Sequence, residues 1–108
     1  MNNIKTFENF NNQDIFIYIG NDDIESIKNY INSGYDLNIK NDSGYTPLIY
    51  VSRDNNIEIV NLLLNAGADL NKQNNNGDTA LILAIQRNNR EIVKLLLNSG
   101  ADIDKQND

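Results

Sequence analysis

The chain has 108 residues, a net charge of −6, and neither cysteine nor histidine. Its length suits one small domain, and the missing residue types exclude disulfides, thiolate or imidazole metal sites and histidine-dependent catalytic triads. The acidic balance disfavours nucleic acid and favours a basic partner protein, while no apolar run is long enough for a signal sequence or a membrane span. We therefore expect a soluble, cytoplasmic protein.

Residues 9–40 are the first of three copies of a 33-residue unit, because Glu25, Gly34 and Asp36 recur in register in both later copies. This first copy is the most divergent, since Gln13 and Asp14 stand where the second copy has Thr-Pro. We expect it to cap the array, behind an N-terminal extension at residues 1–8. The apolar residues expected to fold back over it are Ile4, Phe7 and Phe10.

Residues 41–73 are the second copy and predict a pair of helices. Thr46 is placed to cap the first helix with its hydroxyl, and Pro47 suits the first helical position. The buried stripe of this helix is predicted at Leu48, Val51 and Ser52. Asn55-Asn56 then interrupts the pattern, because asparagine tolerates the left-handed conformation of a turn and can cap the next helix.

The second helix of this copy is apolar almost all round, with polar residues only at Glu58, Asn61 and Asn65. These three fall on one narrow outward stripe, so neighbouring copies must cover the other sides of the helix. Gly67 follows at the position of a left-handed C-cap, as Gly34 and Gly100 do in the other copies. Asp36, Asp69 and Asp102 occur once per copy, which indicates a structural role in a turn.

Residues 74–106 are the third copy and repeat the same signals, with Thr79 as the helix cap. Asn76-Gly77 predicts a type I′ turn and therefore a short hairpin finger between helix pairs. Residues 107–108 begin a truncated copy, and nothing polar replaces the apolar residues Val93, Leu96 and Leu97. We therefore expect either a piece of a longer array or self-association through the last helix pair.

These residues resemble the consensus of the ankyrin repeat family. Its Gly-x-Thr-Pro-Leu segment corresponds to residues 44–48, its Glu-Ile-Val to residues 58–60, and its Gly-Ala-Asp to residues 67–69. The resemblance covers residues 9–106, with Ile49 and Ile82 in place of the usual histidine. It implies an all-α solenoid of three stacked helix-turn-helix repeats with short hairpin fingers. The domain is therefore predicted to comprise the repeats 9–40, 41–73 and 74–106.

Ankyrin domains characteristically bind proteins through their finger tips and the concave face of the first helices, and this resemblance implies candidate positions by register. The finger positions are Asn9, Phe10 and Asn12, then Asp42, Ser43 and Tyr45, then Asn75, Asn76 and Asp78. The first helices offer Ile17, Tyr50 and Leu83, followed by Arg53, Asp54, Gln86 and Arg87. Tyrosine and arginine are enriched at binding hot spots, so Tyr45, Tyr50 and Arg53 are the foremost candidates. The full set of predicted partner-binding residues is Tyr45, Tyr50, Arg53, Asp42, Asp78, Leu83, Gln86 and Arg87.

The first functional hypothesis is a non-catalytic scaffold that binds another protein and needs no cofactor or metal. A narrower alternative is a small acidic inhibitor or immunity-type protein that masks a basic partner, because opposite charge accelerates encounter. A third is a structural segment of a longer ankyrin array. An enzyme or metal module would have to use Asp22, Asp23 and Glu25, which helix capping explains more simply.

Overall fold

The computed structural model describes residues 11–102, and it contains six helices and no strand within that range. The helices are α1 (Asp14–Gly20), α2 (Ile24–Asn32), α3 (Pro47–Arg53), α4 (Ile57–Asn65), α5 (Ala80–Gln86) and α6 (Arg90–Asn98). The predicted all-α class is confirmed. The predictions for Ile4, Phe7, Asn9, Phe10 and positions 107–108 lie outside the described residues. Between residues 11 and 102, no helix combines the length and the hydropathy needed to cross a membrane.

The first helices of the second and third repeats begin where the sequence predicts. The Thr46 hydroxyl accepts a hydrogen bond from the Ile49 backbone N–H at 3.2 Å, and Thr79 caps α5 in the same way. Each cap satisfies one backbone donor that the first turn of a helix leaves unpaired. Gln13 precedes α1 at the equivalent position and makes no such side-chain bond. The first helix of the divergent first repeat therefore begins without the side-chain cap that the other two repeats have.

The turns between paired helices also follow the prediction. Asn55 and Asn88 adopt positive φ values of 61° and 60°, and Asp22 does the same at 55°. The next residue caps the second helix in two of the three repeats. Asp23 accepts from the Ser26 backbone N–H at 3.2 Å, and Asn56 accepts from the Ile59 backbone N–H at 3.3 Å.

Asn89 departs from this pattern and joins two repeats instead. Its side chain makes no capping bond to α6. Its Nδ2 donates to the backbone carbonyls of Ser52 at 2.7 Å and Arg53 at 3.1 Å. These carbonyls lie at the end of α3, where helix geometry leaves acceptors unpaired. The predicted side-chain cap by asparagine is therefore wrong at Asn89, because its amide is used between repeats.

The helices stack in two rows. α1, α3 and α5 form the inner row, in which α3 packs on both neighbours, and each outer helix packs on the inner helix of its own repeat. Tyr30, Leu63 and Leu96 occupy one register position in the three repeats, and all three are completely buried. The Tyr30 hydroxyl is satisfied by the Asp36 backbone carbonyl, to which it donates at 2.9 Å. One core therefore runs through the three repeats.

A second set of contacts recurs between neighbouring repeats. Asn38 Oδ1 accepts from the Asp69 backbone N–H at 2.8 Å, and Asn71 Oδ1 accepts from the Asp102 backbone N–H at 2.9 Å. Asp36 and Asp69 each accept from the backbone N–H two residues on, at 2.8 and 2.9 Å. Such a bond is the Asx-turn interaction. The structural turn role predicted for Asp36 and Asp69 is confirmed.

The fingers, residues 41–45 and 74–78, are tight turns. In the second finger, the Gly77 N–H donates to the Asn74 carbonyl at 3.0 Å, so Asn75 and Asn76 are the central residues of the turn. Gly77 has a φ of 82°, whereas neither asparagine has a positive φ. A type I′ turn needs positive φ at both central residues. The type I′ prediction is therefore wrong, since the turn begins one residue earlier with Gly77 at its end.

Candidate functional site

Tyr45, Tyr50 and Arg53 come together on the inner side of the second repeat. Tyr50 and Arg53 are three residues apart on α3 and therefore share a helix face, and Tyr45 directly precedes the Thr46 cap. The Arg53 guanidinium carbon lies 5.1 Å from the ring centroid of Tyr45 and 5.1 Å from that of Tyr50. Both distances are within the range of a cation–π interaction. The three foremost candidates thus form one cluster.

Hydrogen bonds hold the Arg53 side chain in this position. Its Nε donates to Asp54 Oδ1 at 2.9 Å, and a second guanidinium nitrogen donates to Asp54 Oδ2 at 3.4 Å. The bond to Asp54, together with a side-chain hydrogen bond to Tyr45, raises the pKa of Arg53 despite its partial burial. The side chains of Arg53 and Asp54 remain 30% and 46% exposed. Arg53 is therefore a fixed charge that water still reaches.

Phe16 extends the cluster into the first repeat. Its ring stacks on Tyr50 with 6.1 Å between centroids and 23° between planes. Phe16 is not among the residues predicted from the register, because Ile17 is the residue in register with Tyr50. Ile17 is instead largely exposed. Phe16 could have been found from the sequence because it is a large aromatic residue next to Ile17, on a helix expected to pack against α3.

An open depression of about 160 Å³ lies beside this cluster, lined by Asn41, Ser43, Tyr45, Tyr50 and Arg53. Asn41 Oδ1 already accepts from the backbone N–H groups of Ser43 and Tyr45, both at 3.0 Å. Its Nδ2 is therefore the group that it can offer to a ligand. The lining is rich in hydrogen-bond donors, and it includes a cation but no carboxylate.

The other predicted residues divide into two groups. Asp42, Gln86 and Arg87 are exposed, so they remain available to a partner. Leu83 and Asp78 are only 6% and 8% exposed. Leu83 belongs to the core, and the Asp78 backbone pairs with Asn74 at the base of the finger. Burial at these two positions gives a partner little to contact, so we leave Leu83 and Asp78 out of the candidate surface.

The acidic cluster of the first repeat has a structural explanation. Both carboxylate oxygens of Asp23 bind Ser26, one through the backbone N–H at 3.2 Å and the other through the hydroxyl at 2.7 Å. The capping role predicted for this cluster is confirmed at Asp23. Among residues 11–102, no three side chains of the metal-ligating types come together in a group that could hold an ion.

The end of the stack at the third repeat leaves exposed an apolar side chain at a position that the other two repeats bury. Ile85 is 55% exposed, whereas Ile19 and Ser52, at the same register position, are buried. Ile85 lines an open groove of about 320 Å³ together with Asn88, Arg90, Val93 and Lys94. The difference follows from stacking, because α3 covers the first repeat and α5 covers the second. Self-association through this face stays a prediction.

Two stacked rows of short helices with finger turns along one edge define a helical repeat solenoid. A family model described as ankyrin repeats, in three copies, matches residues 15–107. The chain therefore belongs to the ankyrin repeat family. A comparison with curated protein sequences finds no significant match. Ankyrin repeats are generally protein–protein interaction modules, and the family is typically non-catalytic.

Proposed function

We propose that this chain is a non-catalytic binding module that contacts a partner protein through the surface centred on Tyr45, Tyr50 and Arg53. The observation that carries the proposal is the placement of the Arg53 guanidinium 5.1 Å from both tyrosine rings. Tyrosine and arginine dominate binding energy at protein interfaces because they combine a large contact area with hydrogen bonding. Phe16 adds a stacked aromatic ring from the neighbouring repeat.

The binding energy of such a surface depends on how little order is lost on association. Tyr50 and Arg53 stand on a packed helix, and Asp54 and the two rings already hold the arginine side chain. Immobilising a free side chain on binding costs about 0.5–1.5 kcal/mol. The cluster avoids much of that cost because its side chains are ordered before the partner arrives.

The net charge of −6 supports a basic partner at long range. Opposite charge steers encounter and raises the association rate, with a strong dependence on salt. An inhibitor or immunity-type protein that masks a basic surface would use this effect. A steep fall of the association rate with added salt would support a basic partner, and a rate insensitive to salt would argue against it.

Affinity capture from cells of the source organism, followed by mass spectrometry, provides the partner with which the surface can be tested. Two variants probe it, Tyr45→Ala and Tyr50→Leu. The second is matched to the fold, because Leu83 occupies the same register position in α5. We expect each to weaken binding by about tenfold or more, while Asn61→Ala on the outer polar stripe changes nothing. Equal retention of the partner by both tyrosine variants and the wild type would refute the proposed surface.

A further inference from the structure

The residues that line the depression beside Arg53 carry hydrogen-bond donors, and none of them is a carboxylate. Arg53 and the amide of Asn41 contribute N–H groups, and Ser43, Tyr45 and Tyr50 contribute hydroxyls. Asn41 Oδ1 already accepts two backbone hydrogen bonds. A guanidinium presents its donors in a planar fork that matches a carboxylate. The lining is therefore complementary to an anionic group with two acceptor oxygens.

One carboxylate of the chain already uses this fork. Asp54 accepts from Arg53 at 2.9 and 3.4 Å, and it adjoins Arg53 in the sequence. Both side chains are partly exposed, and ion pairs at such sites contribute little to stability. Asp54 can therefore release Arg53 at small cost and turn towards water.

We infer that this depression binds an aspartate or glutamate side chain of the partner protein, which takes the place of Asp54 on Arg53. The inference rests on the proposed function, since it names the chemistry recognised by the same surface. Asp54 then acts as an internal competitor that keeps Arg53 positioned until the partner carboxylate replaces it.

The acidity of the whole chain does not oppose this contact. Charges separated by more than about 8 Å in water are largely screened at physiological salt, so only groups close to Arg53 bear on this contact. The Asp54 carboxylate is one of these groups, and it is the one that the partner carboxylate displaces. No carboxylate lines the depression. In the third repeat, Arg87 replaces Asp54 at the same register position and is exposed. A partner with a basic surface can still insert one acidic side chain.

A displayed library of random peptides, fused to its carrier at both ends, tests the inference without a known partner. Fusion removes free terminal carboxylates, so an anion must come from a side chain. The library is selected on the wild-type protein and depleted on the Tyr50→Leu variant, which leaves ligands of this surface. We expect the selected peptides to share an aspartate or glutamate at one position.

Affinities of one selected peptide then test the contact. We expect Arg53→Gln to weaken binding by about 10- to 100-fold, as for a lost charge-assisted hydrogen bond. Asp54→Asn should strengthen it by about 2- to 5-fold, because the competing carboxylate becomes neutral. Replacing the acidic residue of the peptide by its amide should cost as much as Arg53→Gln, and the two changes together should cost no more. Lys94→Gln removes the same charge from the outer helix α6 and is the control.

The outcomes separate the inference from the proposed function. Peptides that depend on Tyr50 but share no acidic residue would overturn the inference and leave the proposed function intact. Stronger binding by Arg53→Gln with weaker binding by Asp54→Asn would do the same, since it indicates a cationic ligand. A library with no Tyr50-dependent peptide would overturn both. Gln86 occupies the register position of Arg53 in α5, so Arg53→Gln suits the fold. If the far-UV circular dichroism of Arg53→Gln nevertheless differed from that of the wild type, the effect of Asp54→Asn on peptide affinity would decide. Stronger binding by Asp54→Asn supports the inference, and weaker binding overturns it.

Discussion

Replacing Leu63 by alanine tests the stacking of the repeats most directly. Leu63 is completely buried on α4, which packs against α3 of its own repeat and α6 of the next. The substitution removes three carbon atoms, and their transfer to water costs about 2.5 kcal/mol. The cavity left between the helices raises the expected loss to about 3–5 kcal/mol. A domain of this size has a total stability of about 5–15 kcal/mol, so the change removes a large share.

The assay is urea unfolding followed by far-UV circular dichroism, since the chain has no tryptophan. Leu97→Ala is the control, because Leu97 is a leucine in the last turn of α6 with a partly exposed side chain. We expect the control to lose less than about 1 kcal/mol, with both variants keeping the wild-type dependence on urea. A loss below about 1 kcal/mol for Leu63→Ala would refute the view that α4 is enclosed between repeats.

Three further predictions concern other parts of the fold. Gly44→Ala should lower the unfolding free energy by about 2 kcal/mol or more, because Gly44 has a φ of 79° and a Cβ would lie 2.7 Å from the Asn75 backbone nitrogen. Gly20→Ala, in helix α1 with nothing within 4 Å of its Cβ position, should raise the same quantity by about 0.5–1 kcal/mol; equal effects of the two substitutions in urea titrations would contradict the finger geometry. Ser52→Ala should leave the unfolding free energy unchanged or raise it by up to about 1 kcal/mol, because its buried hydroxyl has no hydrogen-bond partner. A lower melting temperature for this variant would show that the hydroxyl does form a bond. Burial, followed by nearby carboxylates, raises the pKa of Tyr30 from 10.0 to about 12. The folded state therefore binds this proton more tightly than the unfolded state, and on the order of 2 kcal/mol of stability should be lost as the pH rises from 10 to 12. Urea titrations across that pH range should show a smaller fall in unfolding free energy for Tyr30→Phe than for the wild type. Identical falls would contradict the raised pKa of Tyr30.

The local features of this fold could be predicted because they depend on residues close in sequence. Thr46 and Thr79 cap helices through bonds to the third residue on, and Asn55 and Asn88 occupy turns set by their own backbone preferences. The cluster of Tyr50 and Arg53 follows from helical spacing alone. The 33-residue period supplied the number of repeats and the order in which they stack.

The features that could not be predicted depend on how far neighbouring repeats are displaced from each other. Phe16 contacts Tyr50 across 34 positions, one more than the period, and Asn89 reaches the carbonyls of Ser52 and Arg53. A repeat period fixes which residues are equivalent but not which ones touch. The turn at Asn74 is likewise set by docking between fingers, since the Asn75 N–H donates to the Ser43 carbonyl at 3.1 Å.

The bonds from Asn38 and Asn71 to the following repeat bear on how such a chain can change over time. The second repeat, which has a neighbour on both sides, carries one acceptor for its successor and one donor for its predecessor, 2 positions apart in its own 33 residues. A duplicated or deleted repeat therefore brings or removes a complete junction, and no second mutation is needed to restore it. The copy number can drift in the gene while the joint between units stays the same.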